Sequence, residues 1–252
     1  MKRILLWIGI SVLILITGLF IAGLIIHEPR PKAEPDSAAD ALAEKMLDAL
    51  NETAWDSTRY VTWTFRGINE YVWDREANLV EVSNGDTRVV IHTKSLEYQV
   101  LKPRDEEDKH YQYFETAWAN FCNDAYWLCA PYKVFDPGTK RAIVEDESGR
   151  PQLLVTYESG GVTPGDAYLW QLDKDYRPES FEMWVSIIPI GGLKASWSDW
   201  QTLESGALIA GKRMLLDRVE IPITEVRGGR DWKDIGLEED PFANFDWEPG
   251  ER

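Results

Sequence analysis

The chain has 252 residues, 44% of them hydrophobic, with 12 Trp, which suffices for one domain with a sizeable core and lies outside the range of disordered chains. Its formal net charge is -16, and setting aside residues 1–35, with four basic and two acidic residues, leaves 23 basic against 41 acidic, a net charge of -18. A body that acidic repels phosphate backbones, which excludes nucleic acid as a partner.

After "MKR", residues 4–26 (ILLWIGISVLILITGLFIAGLII) carry no charge. As a helix they reach about 34 Å, enough for a hydrocarbon layer of about 30 Å. A cleaved signal peptide has a shorter apolar stretch followed by small residues, whereas "HEPRPKAEP" follows here. Residues 1–26 therefore read as an uncleaved transmembrane signal anchor. Lys2 and Arg3 place the N-terminus in the cytoplasm and the body outside it, against the weaker pull of Arg30 and Lys32. Residues 27–35, with three Pro, read as a stiff linker that lifts the body off the membrane.

Asp36 and Ser37 offer N-caps to an amphipathic helix with Ala38, Leu42, Met46 and Ala49 on one stripe. From Trp55 the period changes to two. Val61, Trp63 and Phe65 alternate with threonines, "EYVWDRE" forms a second strand, and Asn84-Gly85 turns a hairpin. After the strand "SLEYQVL" the pattern is helical again, with Tyr111, Phe114, Trp118 and Phe121 at three- and four-residue spacing. This helix is expected to end near Asn123-Asp124. Beyond it strands are expected in "AYWLCAPYKV", "KRAIVED", "PQLLVTYES", "DAYLWQLD", "SFEMWVSII", "LKASWSDWQT", "LIAGKRMLLD" and "VEIPITEV", with Asp136-Pro137-Gly138 among the turns. The class is α+β: an antiparallel meander that curls into a sandwich or barrel, with covering helices. The domain runs over 36–230, and 231–252 reads as a loosely held acidic tail.

No metal or cofactor is expected. The three His stand apart, and no H-E-x-x-H, C-x-x-C pair, Walker loop or G-x-S-x-G occurs. Cys122 and Cys129 would lie in an oxidising compartment, where they either pair or stay as buried thiols. In one continuous helix residues seven apart rise about 10.5 Å, so a bond requires the chain to reverse between them. Asp74-Arg75, Asn123-Asp124, Asp136 and Asp166 sit against aromatics or turns. A polar cluster in a cleft is one reading; turn capping accounts for them more simply. The aromatics Trp63, Phe65, Trp73, Trp127, Tyr168 and Trp170 either pack a thick core or line a cavity for an apolar ligand. By parity Trp184 opposes Phe181, Met183 and Val185, which sends it to the outer face or to a second layer.

The stretches "AWDSTRYVTWTF", "EYVWDRE", "NDAYWLCAPYKVFDPG", "GVTPGDAYLWQLD" and "ASWSDWQ" resemble a family of bacterial envelope proteins with the LolA/LolB-like, lipoprotein-carrier fold. The resemblance spans roughly residues 55–226 and implies an incomplete antiparallel barrel wrapped around helices, with an apolar concave face for acyl chains. With the anchor, it implies a single-pass bacterial inner-membrane protein whose domain lies in the periplasm and binds a lipid, a lipoprotein or another apolar ligand without catalysis. The alternatives are an envelope interaction protein with a filled core and a hydrolase that uses clustered Asp residues.

Overall fold

The computed structural model describes residues 27–159 and 163–245, together with Trp7 and Gly23, so the expected anchor lies outside the described residues apart from those two. No helix among the described residues is long and apolar enough to cross a membrane.

Helix α1 (Ser37–Ala49) starts where the Asp36 carboxylate accepts the Ala38 N–H at 3.0 Å. Its buried face is Ala39, Leu42, Ala43, Met46 and Leu47, while Ala38, expected on the stripe, is exposed. The single turn α2 (Glu52–Asp56) follows Asn51, whose φ of 59° is tolerated because a short polar side chain suits the left-handed region.

Five strands come next: β1 (Tyr60–Phe65), β2 (Asn69–Asp74), β3 (Leu79–Asn84), β4 (Thr87–His92) and β5 (Tyr98–Lys102). The β3–β4 hairpin forms where Asn84-Gly85 predicts a turn, but its two turn residues are Gly85 and Asp86, with Asn84 paired opposite Thr87. Helix α3 (His110–Cys129) carries the chain to β6 (Thr139–Glu145), β7 (Pro151–Tyr157), β8 (Ala167–Leu172), β9 (Pro178–Trp184), β10 (Leu193–Thr202) and β11 (Leu208–Leu215). The chain ends its sheets with the short β12 (Val219–Glu220) and β13 (Ile223–Gly229).

Among the described residues all pairings are antiparallel, and they form two sheets, one of six strands in the order β13-β1-β2-β3-β4-β5 and one of seven in the order β12-β11-β10-β9-β8-β7-β6. The α+β class and the antiparallel sheets hold; among the described residues no barrel closes, and the strands divide into two sheets inside "VEIPITEV". Pro222 is the cause, since it has no N–H for a ladder. Ile221 still donates to Arg213 O at 2.9 Å in the second sheet, whereas the Pro222 carbonyl accepts the Arg66 N–H at 2.8 Å in the first. One bent segment therefore belongs to both sheets.

Helix α3 also corrects the sequence reading. It continues through Asp124, Tyr126 and Trp127 to Cys129, and a 3-10 turn over Ala130–Lys133 follows, so "AYWLCAPYKV" contains no strand. The buried positions Phe114, Ala117, Phe121, Ala125 and Leu128 keep the helical interval, and this outweighs the strand preference of single aromatics. Pro131 then ends the helix. Within the aromatic stripe Phe114 and Phe121 are buried, while Tyr111 is exposed. Cys122 and Cys129 are both free. Two turns of one helix separate them by about 10.5 Å along its axis, beyond disulfide reach.

Helices α1 and α3 lie on the inner side of the sheets. Helix α3 covers the first sheet, whose inward row Trp63, Tyr71, Val82, Val89 and Val100 runs across β1 to β5. Helix α1 covers the second, whose inward row is Leu153, Trp170, Phe181 and Ala195. Two smaller layers lie outside. The tail, expected to be loose, packs Ile235 and Phe242 against Tyr60, Leu79 and Val90. The linker sets Ala33 on Ala142, Leu154, Ala167 and Leu169 beside Trp184, which thus lies opposite Phe181 and Met183, as its parity implies, in a layer covered by the linker.

Candidate functional site

The six aromatics read as ligand-facing do not form one patch. Trp63, Phe65 and Trp73 belong to the core of the first sheet, and Tyr168 and Trp170 to that of the second. Trp127 touches both, together with Tyr132 and Leu215, and so marks the seam between the cores. Trp63 stacks on Tyr71 with ring centroids 4.3 Å apart, and Phe181 meets Trp170 at 5.0 Å and Tyr168 at 5.2 Å, edge to face.

The seam holds a residue that motif reading passed over. Arg213, on β11 opposite Trp197, is fully buried. Its Nη2 donates to the Leu128 carbonyl at 3.2 Å, at the C-terminal end of α3, where carbonyls lack helical partners and the helix dipole is negative. The guanidinium lies 5.1 Å from the Trp197 ring centre. Among the described residues its Nε and Nη1 find no acceptor, and the buried Nε1 atoms of Trp170 and Trp197 find none either. Burial pushes the Arg213 pKa down to about 10. Each unpaired buried donor costs roughly 1–3 kcal/mol. A carbonyl, carboxylate or phosphate oxygen is the chemistry that such a donor surplus accepts. The sequence contained one signal for this position: Arg213 shares strand parity with Ile209 and Leu215, on the apolar side.

The polar residues singled out in sequence each engage partners of their own, in separate places. Asp124, 2% exposed, accepts from Tyr71 Oη at 2.5 Å, Asn69 Nδ2 at 2.8 Å and Asn123 Nδ2 at 2.8 Å. Asn84 extends the chain by donating to Asn69 Oδ1 at 2.6 Å. Burial raises the Asp124 pKa, and these hydrogen bonds pull against it. Asp74 accepts Arg59 Nη2 at 2.8 Å and the Ala77 N–H at 2.9 Å, a turn cap with an ion pair. Arg75 donates Nη1 to the carbonyls of Trp55 and Thr58 and lies 4.2 Å over the Trp55 ring. Asp166 accepts from Thr163 Oγ1 at 2.6 Å and from the Ser186 N–H at 2.9 Å. Asp136 pairs with Lys133. Asn123 and Asp124 thus come together, and Asp74, Arg75 and Asp166 share no partner with them. Burial pushes the thiols of Cys122 to about 12 and Cys129 to about 11, away from nucleophilic use.

The first sheet carries a groove of about 260 Å³ whose lining includes Thr62, Thr64, Glu70, Glu81, Ser83 and Glu225, together with Trp63 and Tyr71. Thr64 donates to Glu225 at 2.8 Å, and Arg88 pairs with Glu81 at 2.7 Å. Among the described residues no group of three or more His, Cys, Asp or Glu is placed to hold a metal.

No family model matches the chain, and no curated protein matches it. Among solved structures it is similar to an outer membrane lipoprotein-sorting protein domain from Vibrio parahaemolyticus, at 10% sequence identity and a TM-score of 0.32, over 77% of this chain and 97% of that one. A likeness that distant decides nothing about function.

Proposed function

We propose that the protein is a membrane-anchored extracytoplasmic module that binds a lipid or a lipidated partner and is not a catalyst. The supporting observation is the seam: apolar walls from both sheets meet there around Arg213, whose Nε and Nη1 lack acceptors beside the unpaired indoles of Trp170 and Trp197. An amphiphile offers what this place is short of, acceptor oxygens on an apolar body. The separate engagement of Asp74, Asp124, Asp136 and Asp166 weighs against a hydrolase with paired carboxylates, which needs two of them to face one bond.

A second reading, an interaction protein with a filled core, draws support from the tight mutual burial of Trp63, Tyr71, Trp170 and Phe181. Native mass spectrometry of the full chain released from membranes into amphipol separates the two, with Arg213→Met as comparison. Lipid bound around the anchor is common to both proteins. An adduct of lipid mass present in the wild type and lost in Arg213→Met is the expected result. Identical spectra from the two would leave the filled core as the reading.

A further inference from the structure

The loop 185–192 between β9 and β10 reads Val-Ser-Ile-Ile-Pro-Ile-Gly-Gly. Ile187 is 75% exposed, Pro189 is exposed, and Ile188 and Ile190 are half-buried. One exposed isoleucine is ordinary on a protein surface. What sets this loop apart is its partner, the chain that has just left the apolar stretch 4–26.

That partnership is built from several bonds. Glu28 N–H donates to the Gly191 carbonyl at 3.0 Å, and Gly191 N–H donates to His27 Nδ1 at 3.0 Å. Trp184 Nε1 donates to the Glu28 carbonyl at 2.7 Å. The two glycines permit this approach. A Cβ on Gly191 would stand 2.2 Å from Trp184 Cδ1, and one on Gly192, at φ +80°, would stand 2.6 Å from Glu28 Cβ. From below, Asp166 accepts the Ser186 N–H at 2.9 Å and steadies the loop base. Gly23 lies beside the loop as well, since a Cβ there would be 3.7 Å from Ile190 Cδ1.

Gly23 stands three residues inside the apolar stretch, which ends at Ile26. In a helical span that is about one turn, or about 5 Å, below the level at which the stretch ends. Ile190 beside it is therefore at acyl depth, and Trp184, at the level of Glu28, sits where indoles favour the headgroup region.

We propose that the loop 185–192 docks on the outer surface of the bilayer that the apolar stretch enters, with Ile187 and Ile190 reaching the acyl chains. The occupant is phospholipid. The proposal rests on the reading of residues 4–26 as a span and adds a second, peripheral contact that fixes how the domain stands on the membrane. A tether alone would let the body tumble; two contacts do not.

The test uses the full chain in vesicles of phosphatidylcholine and phosphatidylglycerol, in a Cys122→Ala, Cys129→Ala background. Single cysteines carrying a nitrobenzoxadiazole dye replace Ile187, Ile14 in the apolar stretch, or Glu147 in the β6–β7 turn. Lipids brominated along the acyl chain act as quenchers. The dye at 187 is expected to shift to the blue and lose most of its emission, as at 14, with no loss at 147. Adding Gly191→Ala, which pushes Glu28 off the loop, is expected to restore much of the emission at 187. Quenching at 14 without quenching at 187 overturns the loop contact and leaves the span. No quenching at either position overturns the span and the proposal with it. A blue shift at 187 without lipid quenching places the dye in a protein environment, within the chain or between its copies, and overturns the proposal too. Ile187 is exposed, so its replacement leaves the fold intact, and circular dichroism of each variant checks this.

Discussion

Helix α3 meets the two sheets through opposite polar chemistry. Toward the first sheet it buries a carboxylate, Asp124, that receives three side-chain donors. Toward the second its C-terminal end receives a buried guanidinium, Arg213, that keeps two nitrogens unpaired. Both groups are buried, and both are moved off their ordinary pKa by desolvation. They differ in completeness. A buried charge whose partners are all present acts as a clamp that fixes a register, whereas one short of partners is a cost that folding alone does not explain. Toward the first sheet the polar partners of the helix are complete, and toward the second the guanidinium is left with donors that would suit an acceptor, which is the basis of the proposed binding function.

The sharpest way to break this contrast is to remove the clamp. Asp124→Ala leaves Tyr71, Asn69 and Asn123 without their acceptor, with an expected loss of about 3 kcal/mol in urea unfolding. A loss under about 1 kcal/mol would make the network dispensable and the contrast empty. Arg213→Met tests the other side with the opposite sign. Replacing an unpaired buried cation by an apolar chain of similar length is expected to raise the stability of lipid-stripped protein by about 1 kcal/mol, read as a higher Tm. A large drop instead would mean that the cap on Leu128 O outweighs the unpaired donors, and both halves would then be clamps.

The smallest effect is a pH dependence. The folded pKa of Asp124 is raised above its unfolded value, so its contribution to stability is fully present below the unfolded pKa and declines as pH rises through the folded one. The stability of the wild type relative to Asp124→Asn is therefore expected to grow on acidification through the carboxylate range. A gap that stays constant from neutral to acid pH would show that the carboxylate titrates normally despite its burial.

Much of the fold was legible in the sequence. The switch from helical spacing to alternation, the hairpin at Asn84-Gly85 and the inside-outside parity of Trp184 each depend on local backbone periods, which neighbours in sequence reveal. What escaped depended on partners far along the chain. Tyr126 and Trp127 look like strand residues until Phe121, Ala125 and Leu128 are seen to share a face against the first sheet. Pro222 interrupts one apparent strand, but that its two halves serve different sheets is decided by Arg66 and Arg213. The tail looked loose because its few apolar residues gain meaning only against Tyr60, Leu79 and Val90. The candidate aromatics pack inward, and their division between two cores was not legible in the sequence. Arg213 was hidden as one polar residue in an alternating strand, although its parity was the wrong one for solvent.

The bent segment at Pro222 gives the molecule a spine. The two sheets are joined along β13, at Pro222 near one end and at the other by the Ser205 N–H bonded to the Gly228 carbonyl at 2.9 Å. On the opposite side β5 and β6 are the last strands of their sheets, and α3 lies between them in sequence like a marker between two covers. Leaves hinged in this way can part without tearing a single ladder, because every rung lies within one leaf. The load would fall on side-chain ties at the end of the marker: Arg213 to Leu128 O, and just beyond it Tyr132 Oη to Leu208 O at 2.8 Å and Tyr157 Oη to Lys133 O at 3.2 Å.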